Sequence, residues 1–392
     1  MTDQPKRILV LSGGGGRGAF HAGVYQYLME AEKGGVNEAH SGPWAPDVVV
    51  GTSIGAVNGA AIVQGVTADD LVKIWEGLEE RDVQGIPPNM RWLARLVVSR
   101  LFGAIMDTSL PRVSDKEKTS IEPEAFWRPL PIISRWFSER LVGRWTNLLD
   151  TGPLKKTLYF KFGFDEEKIN RSKTSLLVAA TLVSTGERAL FSNRQFPKAT
   201  LRREKVRRNT QHGITVERIL ASCSIPLVYP WTRDEETKSL YWDGALVANT
   251  PLGPAFELLD DDMSTPVEVV VVLMTPFRDE DSPGHGSDPK SFLEPTSFGE
   301  AISRMLDWML LASFRETLNT LEAFNKLAVY ERETGKGPYK YREVKPIIVA
   351  PQGFMGAERI INYDRKESRQ YICEGYFAAK AAFTQKFKKQ TA

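Results

Sequence analysis

A chain of 392 residues, 42% hydrophobic and 26% charged, has the composition of a globular protein with a sizeable core, which excludes a disordered or fibrous polymer. A formal net charge of +2 is too near balance to imply a nucleic-acid partner, so any electrostatic attraction must come from local clusters. Cys223 and Cys373 are far apart and outside any CxxC spacing, so neither a disulfide framework nor a zinc site is expected, and a reducing, cytoplasmic compartment fits best.

Residues 7–11 read as a buried strand, too short to be the apolar core of a signal peptide. A tight loop over 13–18 follows, then a helix over 19–31 with Phe20, Val24, Leu28 and Ala31 at helical spacing. The β-branched run at 47–50 ends in Gly51-Thr52-Ser53-Ile54-Gly55 and precedes a small-residue helix over 56–63. Strand, loop, helix repeated in this way is the grammar of a mostly parallel sheet with crossover helices, in which ligands sit beyond the carboxyl ends of the strands. Both glycine loops fall there.

A Trp-, Arg- and Pro-rich stretch over 85–150 reads as an inserted helical cap. Within it, 133–149 places Ile133, Phe137, Leu141, Trp145 and Leu148 on one half of a helical wheel, opposite Arg135 and Glu139. The segment 90–106 shows no clean polar face. The α/β pattern resumes with a strand over 175–184, a hairpin over 186–192, a helix over 216–223 stopped by Pro226, and strands over 241–245 and 267–274. The last of these, the best apolar run, contains Glu268 and is of strand length, so no membrane span is expected. A Gly/Pro/Ser/Asp loop over 279–295, a long helix over 298–333, a strand near 344–350 and a final helix over 370–387 close the chain. The expected organisation is an α/β core over 1–275 carrying the cap, and a helical extension over 276–392 with one further strand, packing on the core.

Gly13-Gly14-Gly15-Gly16-Arg17-Gly18 formally satisfies GxGxxG and half of a P-loop. The P-loop reading fails because Ala19 and Phe20 stand where a phosphate-binding Lys and a magnesium-binding hydroxyl are required. A dinucleotide site expects an acid at the end of the second strand, which ends instead in Gly51-Thr52-Ser53. A third reading is that successive glycine N–H groups at a helix N-terminus hold an oxyanion, with Arg17 adding charge or locking the loop. A plain tight turn explains the glycines as well.

Gly51-Thr52-Ser53-Ile54-Gly55 after an apolar strand and before a helix is the context of a GxSxG nucleophile elbow. A serine needs a base, and of the four histidines only His285 follows Asp243, in a stretch of surface-loop composition. Asp243 ends the short apolar run Leu240-Tyr241-Trp242 and precedes Gly244, so its carboxylate can emerge from a strand end into a cleft. A buried carboxylate in contact with the serine can serve alone, whereas the bland reading is an Asp that makes a turn with Gly244.

Taken together these residues resemble the patatin-like phospholipases. The run from Gly13 to Gly18 is similar to that family's oxyanion loop, Gly51 to Gly55 to its GxSxG elbow, and Asp243-Gly244-Ala245 to its Asp-Gly block. Ile219 to Pro226 and Asn249-Thr250-Pro251 resemble the segments that flank the aspartate. The resemblance implies a three-layer α/β/α core, a Ser53–Asp243 dyad without histidine, hydrolysis of lipid acyl esters, and no metal or other cofactor. Acyl transfer to an alcohol or thiol through the same acyl-enzyme, and a non-catalytic lipid-binding scaffold, are the rival readings. The expected partner is a lipid substrate met at a peripheral membrane surface. The cap helix is the better candidate to touch that surface, with the run Arg202, Arg203, Lys205, Arg207, Arg208 beside it; the final helix, with Tyr376, Phe383 and Phe387 beside Lys386, Lys388 and Lys389, is a further candidate whose stripe is read first as packing on the protein's own core.

Overall fold

The computed structural model describes residues 5–30, 43–85, 147, 149–196, 210–259, 265–277, 298–335 and 340–391. Its centre is a nine-stranded sheet whose main path runs β5-β4-β3-β2-β1-β8-β9. These strands are β1 (Lys6–Leu11), β2 (Val48–Thr52), β3 (Ser175–Leu182), β4 (Arg188–Ser192), β5 (Thr210–His212), β8 (Val267–Val272) and β9 (Ile347–Val349). β6 (Thr232–Arg233) and β7 (Leu240–Asp243) form a side hairpin that joins through β3. From β3 to β9 all neighbours on the path are parallel, and β4 and β7 pair antiparallel with β3.

The central strands are apolar runs because both faces are covered. Leu9, Leu11, Val49, Leu176, Val178, Val270 and Val272 face one core, and Ile8, Val10, Val48, Val50, Leu177, Val269 and Val271 face the other. The first core is closed by α1 (Ala19–Glu30), α2 (Ile54–Val63), α3 (Ala68–Glu76) and the C-terminal helix. The second is closed by the helix Leu252–Glu257 and by the long helix Phe298–Thr334, through Leu252, Ala255, Leu311, Phe314 and Leu321. In chain order the helices after α3 are α4 (Glu80–Val83), α5 (Gly152–Phe160), α6 (Glu166–Arg171), α7 (Val216–Ser222), α8 (Leu252–Glu257), α9 (Phe298–Thr334) and α10 (Arg365–Thr391). The result is a mostly parallel sheet between two helical layers. α2 is buried on every side, which its small-residue sequence permits.

Two departures from the sequence reading have physical causes. Residues 244 and 245 leave the expected strand for a 3-10 turn, Gly244–Leu246, because the Asp243 carboxylate accepts a hydrogen bond from the Ala245 N–H at 2.8 Å. α3 was unanticipated, yet its signals are present: Thr67 caps the Asp70 N–H, acids fill the first turn, and Leu71 and Trp75 point inward. The apolar stripe of the final helix packs on the protein, as its favoured reading had it: Tyr27 of α1 lies at 5.6 Å from both Tyr376 and Phe383. The side chains of Lys386, Phe387, Lys388 and Lys389 lie outside the described residues, as do 86–146 of the cap, the basic run at 202–208 and the loop with His285. Gly85 and Asp150 exchange backbone hydrogen bonds at 3.0 and 2.8 Å, so the described chain leaves the core and rejoins it at one point.

Candidate active site

The sheet itself brings Ser53 and Asp243 together. Thr52, the last residue of β2, pairs with Ala179 of β3, and Asp243, the last of β7, pairs with the next residue, Ala180. β4 occupies the other edge of β3 over 177–181, so β2 and β7 share an edge and run head to head. Their ends meet. Ser53 follows at φ 55°, ψ −126°, a conformation strained for a residue with a side chain and typical of a nucleophile elbow. Gly55 permits it by close approach, because a Cβ there would overlap the Leu11 carbonyl. The Ser53 carbonyl then accepts from the Ala56 and Val57 N–H groups, which starts α2.

The end of α7 holds both residues from beneath. Ser222 Oγ accepts the Ser53 N–H at 2.8 Å and donates to the Ala179 carbonyl at 2.6 Å. Two residues on, the Ser224 carbonyl accepts the Asp243 N–H at 2.8 Å, and Thr181 Oγ1 donates to the Asp243 carbonyl at 2.9 Å. Asp243 is only 3% exposed, and burial pushes its carboxyl up from 3.8 to about 7 against the hydrogen bonds from Ser53 and the Ala245 N–H that favour its charged form. Asp243 therefore both makes the turn and lies against the serine, whose side chain favours the charged carboxylate. Cys223 and Tyr363 enclose the same region: burial first, and the Asp243 charge second or further down, push their thiol and phenol well up, so both stay protonated.

The glycine loop lies against the serine. A Cβ on Gly13 would sit 3.0 Å from Ser53 Cβ, and Gly15 takes φ +58° under the Ile360 carbonyl, where any side chain would collide. Gly15–Gly18 form a 3-10 turn leading into α1. Arg17 points away from the serine into a fully buried pocket, donating to Asp307 Oδ1 at 2.5 Å and to the carbonyls of Met274 and Gly356 at 3.3 and 2.8 Å. Of its two anticipated uses, the geometry is that of the lock.

Neither described histidine hydrogen-bonds Ser53 or Asp243. His21 is buried in α1 beside Asn58, at 3.2 Å, and burial drives its pKa down to about 3, so it stays neutral. His212 is exposed at the end of β5. Sequence reasoning singled out the residues that meet at the site but passed over the individual roles of Ser222, Asn249 and Asp307. Ser222 and Asn249 stood within motif-like segments, whereas Asp307 carried no sequence signal. Among the described residues, no group of three or more His, Cys, Asp or Glu could hold a metal ion, and no helix is long and apolar enough to cross a membrane.

The family model described as "Patatin-like phospholipase" matches residues 9–256. No curated protein sequence matches the chain. Among solved structures, VipD from Legionella pneumophila is similar at 14% identity, covering 97% of this chain and 67% of that one, with a TM-score of 0.41. The type III effector protein ExoU aligns at 12% identity over 97% of this chain and 53% of its own, with a TM-score of 0.34. In the ExoU–SpcU complex from the type III secretion system of Pseudomonas aeruginosa the values are 15%, 81%, 51% and 0.25. The chain thus spans about half the length of the ExoU chains it matches.

Proposed function

The chain belongs to the patatin-like phospholipase family, and from that premise we propose that Ser53 is the nucleophile and Asp243 the base of its lipid acyl hydrolysis. The observation that carries this reading is that the ends of β2 and β7 meet on one edge of β3 and set Ser53 beside the buried Asp243 carboxyl, which burial raises to about 7. A base poised near working pH is ionised often enough to accept a proton and protonated often enough to return one.

Asp243 takes the Oγ proton as Ser53 forms its bond to the ester carbonyl carbon, and the carbonyl oxygen becomes the oxyanion. The N–H groups of Ser53 and Gly13 are already engaged, by Ser222 Oγ and by Asn249 Oδ1 at 2.7 Å. The oxyanion therefore falls to the loop beyond Gly13, Gly14 to Gly16, with the N-terminus of α1 behind it. Collapse breaks the ester C–O bond and Asp243 hands its proton to the leaving alcohol. Water then repeats the sequence on the acyl-Ser53. An acceptor alcohol or thiol in place of water would make the same site an acyltransferase.

The lipid surface belongs, on this reading, beside the turn that follows Asp243. Leu246 and Val247 are exposed there and pack next to α9, whose outward face carries Met305, Trp308, Met309 and Ala312 at spacings of three and four residues. Arg315 stacks on Trp308 at 5.3 Å, adding a cation at the rim of an apolar patch, a combination suited to phospholipid headgroups. Mass spectrometry of products from a mixed lipid extract, with and without added acceptor alcohol, tests the activity. Free fatty acids in wild type and none in Ser53→Ala are expected; identical products from both would overturn the assignment. Liposome sedimentation tests the surface: Met305→Ser/Trp308→Ser should release the protein, and unchanged binding contradicts that placement.

A further inference from the structure

α9 begins well beyond the family match, yet one of its turns holds both ends of the glycine loop. At the far end of the loop, Arg17 Nη1 donates to Asp307 Oδ1 at 2.5 Å, both side chains being fully buried, and Thr275 Oγ1 donates to the same oxygen at 3.2 Å. At the near end, the Gly13 N–H donates to Asn249 Oδ1 at 2.7 Å, and Asn249 Nδ2 donates to the Leu310 carbonyl at 3.1 Å. Asp307 and Leu310 are three residues apart, hence neighbours on one face of the helix. Between the two anchors the backbone carbonyls of Ile360 and Asn362 lie directly over Gly15 and Gly16. The loop's own glycines allow its conformation, and the segment after residue 275 holds it there.

We infer that Asp307 is a positioning residue for the hydrolysis: through Arg17 it fixes the glycine loop where the oxyanion develops, which makes α9 a working part of the active site. The inference rests on the reading of Ser53 and Asp243 above. Backbone dipoles stabilise an oxyanion only when they are already in place, and a displacement of an ångström forfeits that stabilisation while leaving ground-state binding almost untouched. Arg17 reaches none of the reacting atoms, because its guanidinium is turned to Asp307, Met274 and Gly356. Its charge acts on the loop alone, and so does that of Asp307.

The test uses the full chain and a water-soluble short-chain ester, so that binding to a lipid surface does not enter. Wild type, Asp307→Asn, the double variant Arg17→Met/Asp307→Leu and Ser53→Ala are compared for kcat, KM, thermal stability and affinity for a boronic acid that forms a tetrahedral adduct with serine. Asp307→Asn should lower kcat by about 100-fold with KM within about threefold, and the boronic acid should weaken in step with kcat/KM. The double variant leaves no buried charge without its partner, so it should regain stability while kcat stays low. If Asp307→Asn does not fold, the double variant decides. Wild-type kcat in a folded Asp307→Asn, or in the double variant, overturns the inference. Wild-type turnover in Ser53→Ala would instead overturn the dyad on which it rests.

Discussion

At the serine, the turn is set within five residues, with one distant support in Ser222: Gly51 and Gly55 let the chain turn, the strand before and the helix after fix its direction, and Ser53 takes up the strain. At the glycine loop, the anchors join residues 290 positions apart for Arg17 and Asp307 and 61 apart for Asn249 and Leu310. The first arrangement belongs to the backbone and tolerates little substitution. The second belongs to side chains, one of them a buried ion pair whose loss of one partner costs roughly 3–5 kcal/mol. A single catalytic device is thus half written in local sequence and half assembled by tertiary structure.

The largest effect that can break this comparison is at the dyad. Ser53→Ala and Asp243→Asn should each lower kcat by about 10⁴-fold or more with the fold intact, and the double variant should be little worse than either, since the two act as one unit. Ester hydrolysis at near wild-type rate by a folded Asp243→Asn enzyme would show that the strand-end pairing is structural only. A smaller effect probes the distant support of the serine turn. Ser222→Ala leaves the buried Ser53 N–H without its acceptor, which should cost about 1–3 kcal/mol in denaturant unfolding and lower kcat as the elbow relaxes. An unchanged midpoint and unchanged kcat would remove Ser222 from the account.

The last effect is read in the pH dependence of stability. Asp243 is raised in the folded chain from 3.8 to about 7, so between those values the folded state keeps a proton that the unfolded state has released. The stability from that proton is present at acid pH and lost as pH rises through about 7, above which burial of the charge is a constant penalty. Asp243→Asn removes the ionisation. Its melting temperature should exceed that of wild type at pH 8, with the gap closing toward pH 4. A gap that does not change with pH would place the carboxylate in a more solvated setting than its 3% exposure indicates.

What the sequence made legible follows the same division. The apolar runs of β1, β2 and β8 announced a sheet buried on both faces, and each sits where two strands flank it. Ser53, Asp243 and the glycine loop stood out because glycines at fixed offsets leave a mark in the sequence. The direct pairing of β2 and β7 against successive residues of β3 left none, since register is a property of three distant strands. Asp307 left none either: a lone acid in a long helix looks like a solvated one until Arg17 is found against it. The final helix kept two readings, with core packing the favoured one, for a related reason. Its aromatic stripe fits a lipid surface as well as it fits Tyr27, and only the crossing of α1 and α10, close enough that a Cβ on Gly375 would overlap the Phe20 carbonyl, decides between them.

The pairing of Ser53 with Asp243 is tested most directly by the rate of labelling with a fluorophosphonate, followed from pH 5 to pH 9 in wild type and in Asp243→Asn, with the labelled peptide identified by mass spectrometry. The label should fall on Ser53 alone, at a rate that rises with ionisation of the aspartate through about pH 7 and is lost in the variant. Labelling at another residue, or labelling of Ser53 in Asp243→Asn at the wild-type rate and pH profile, would contradict it.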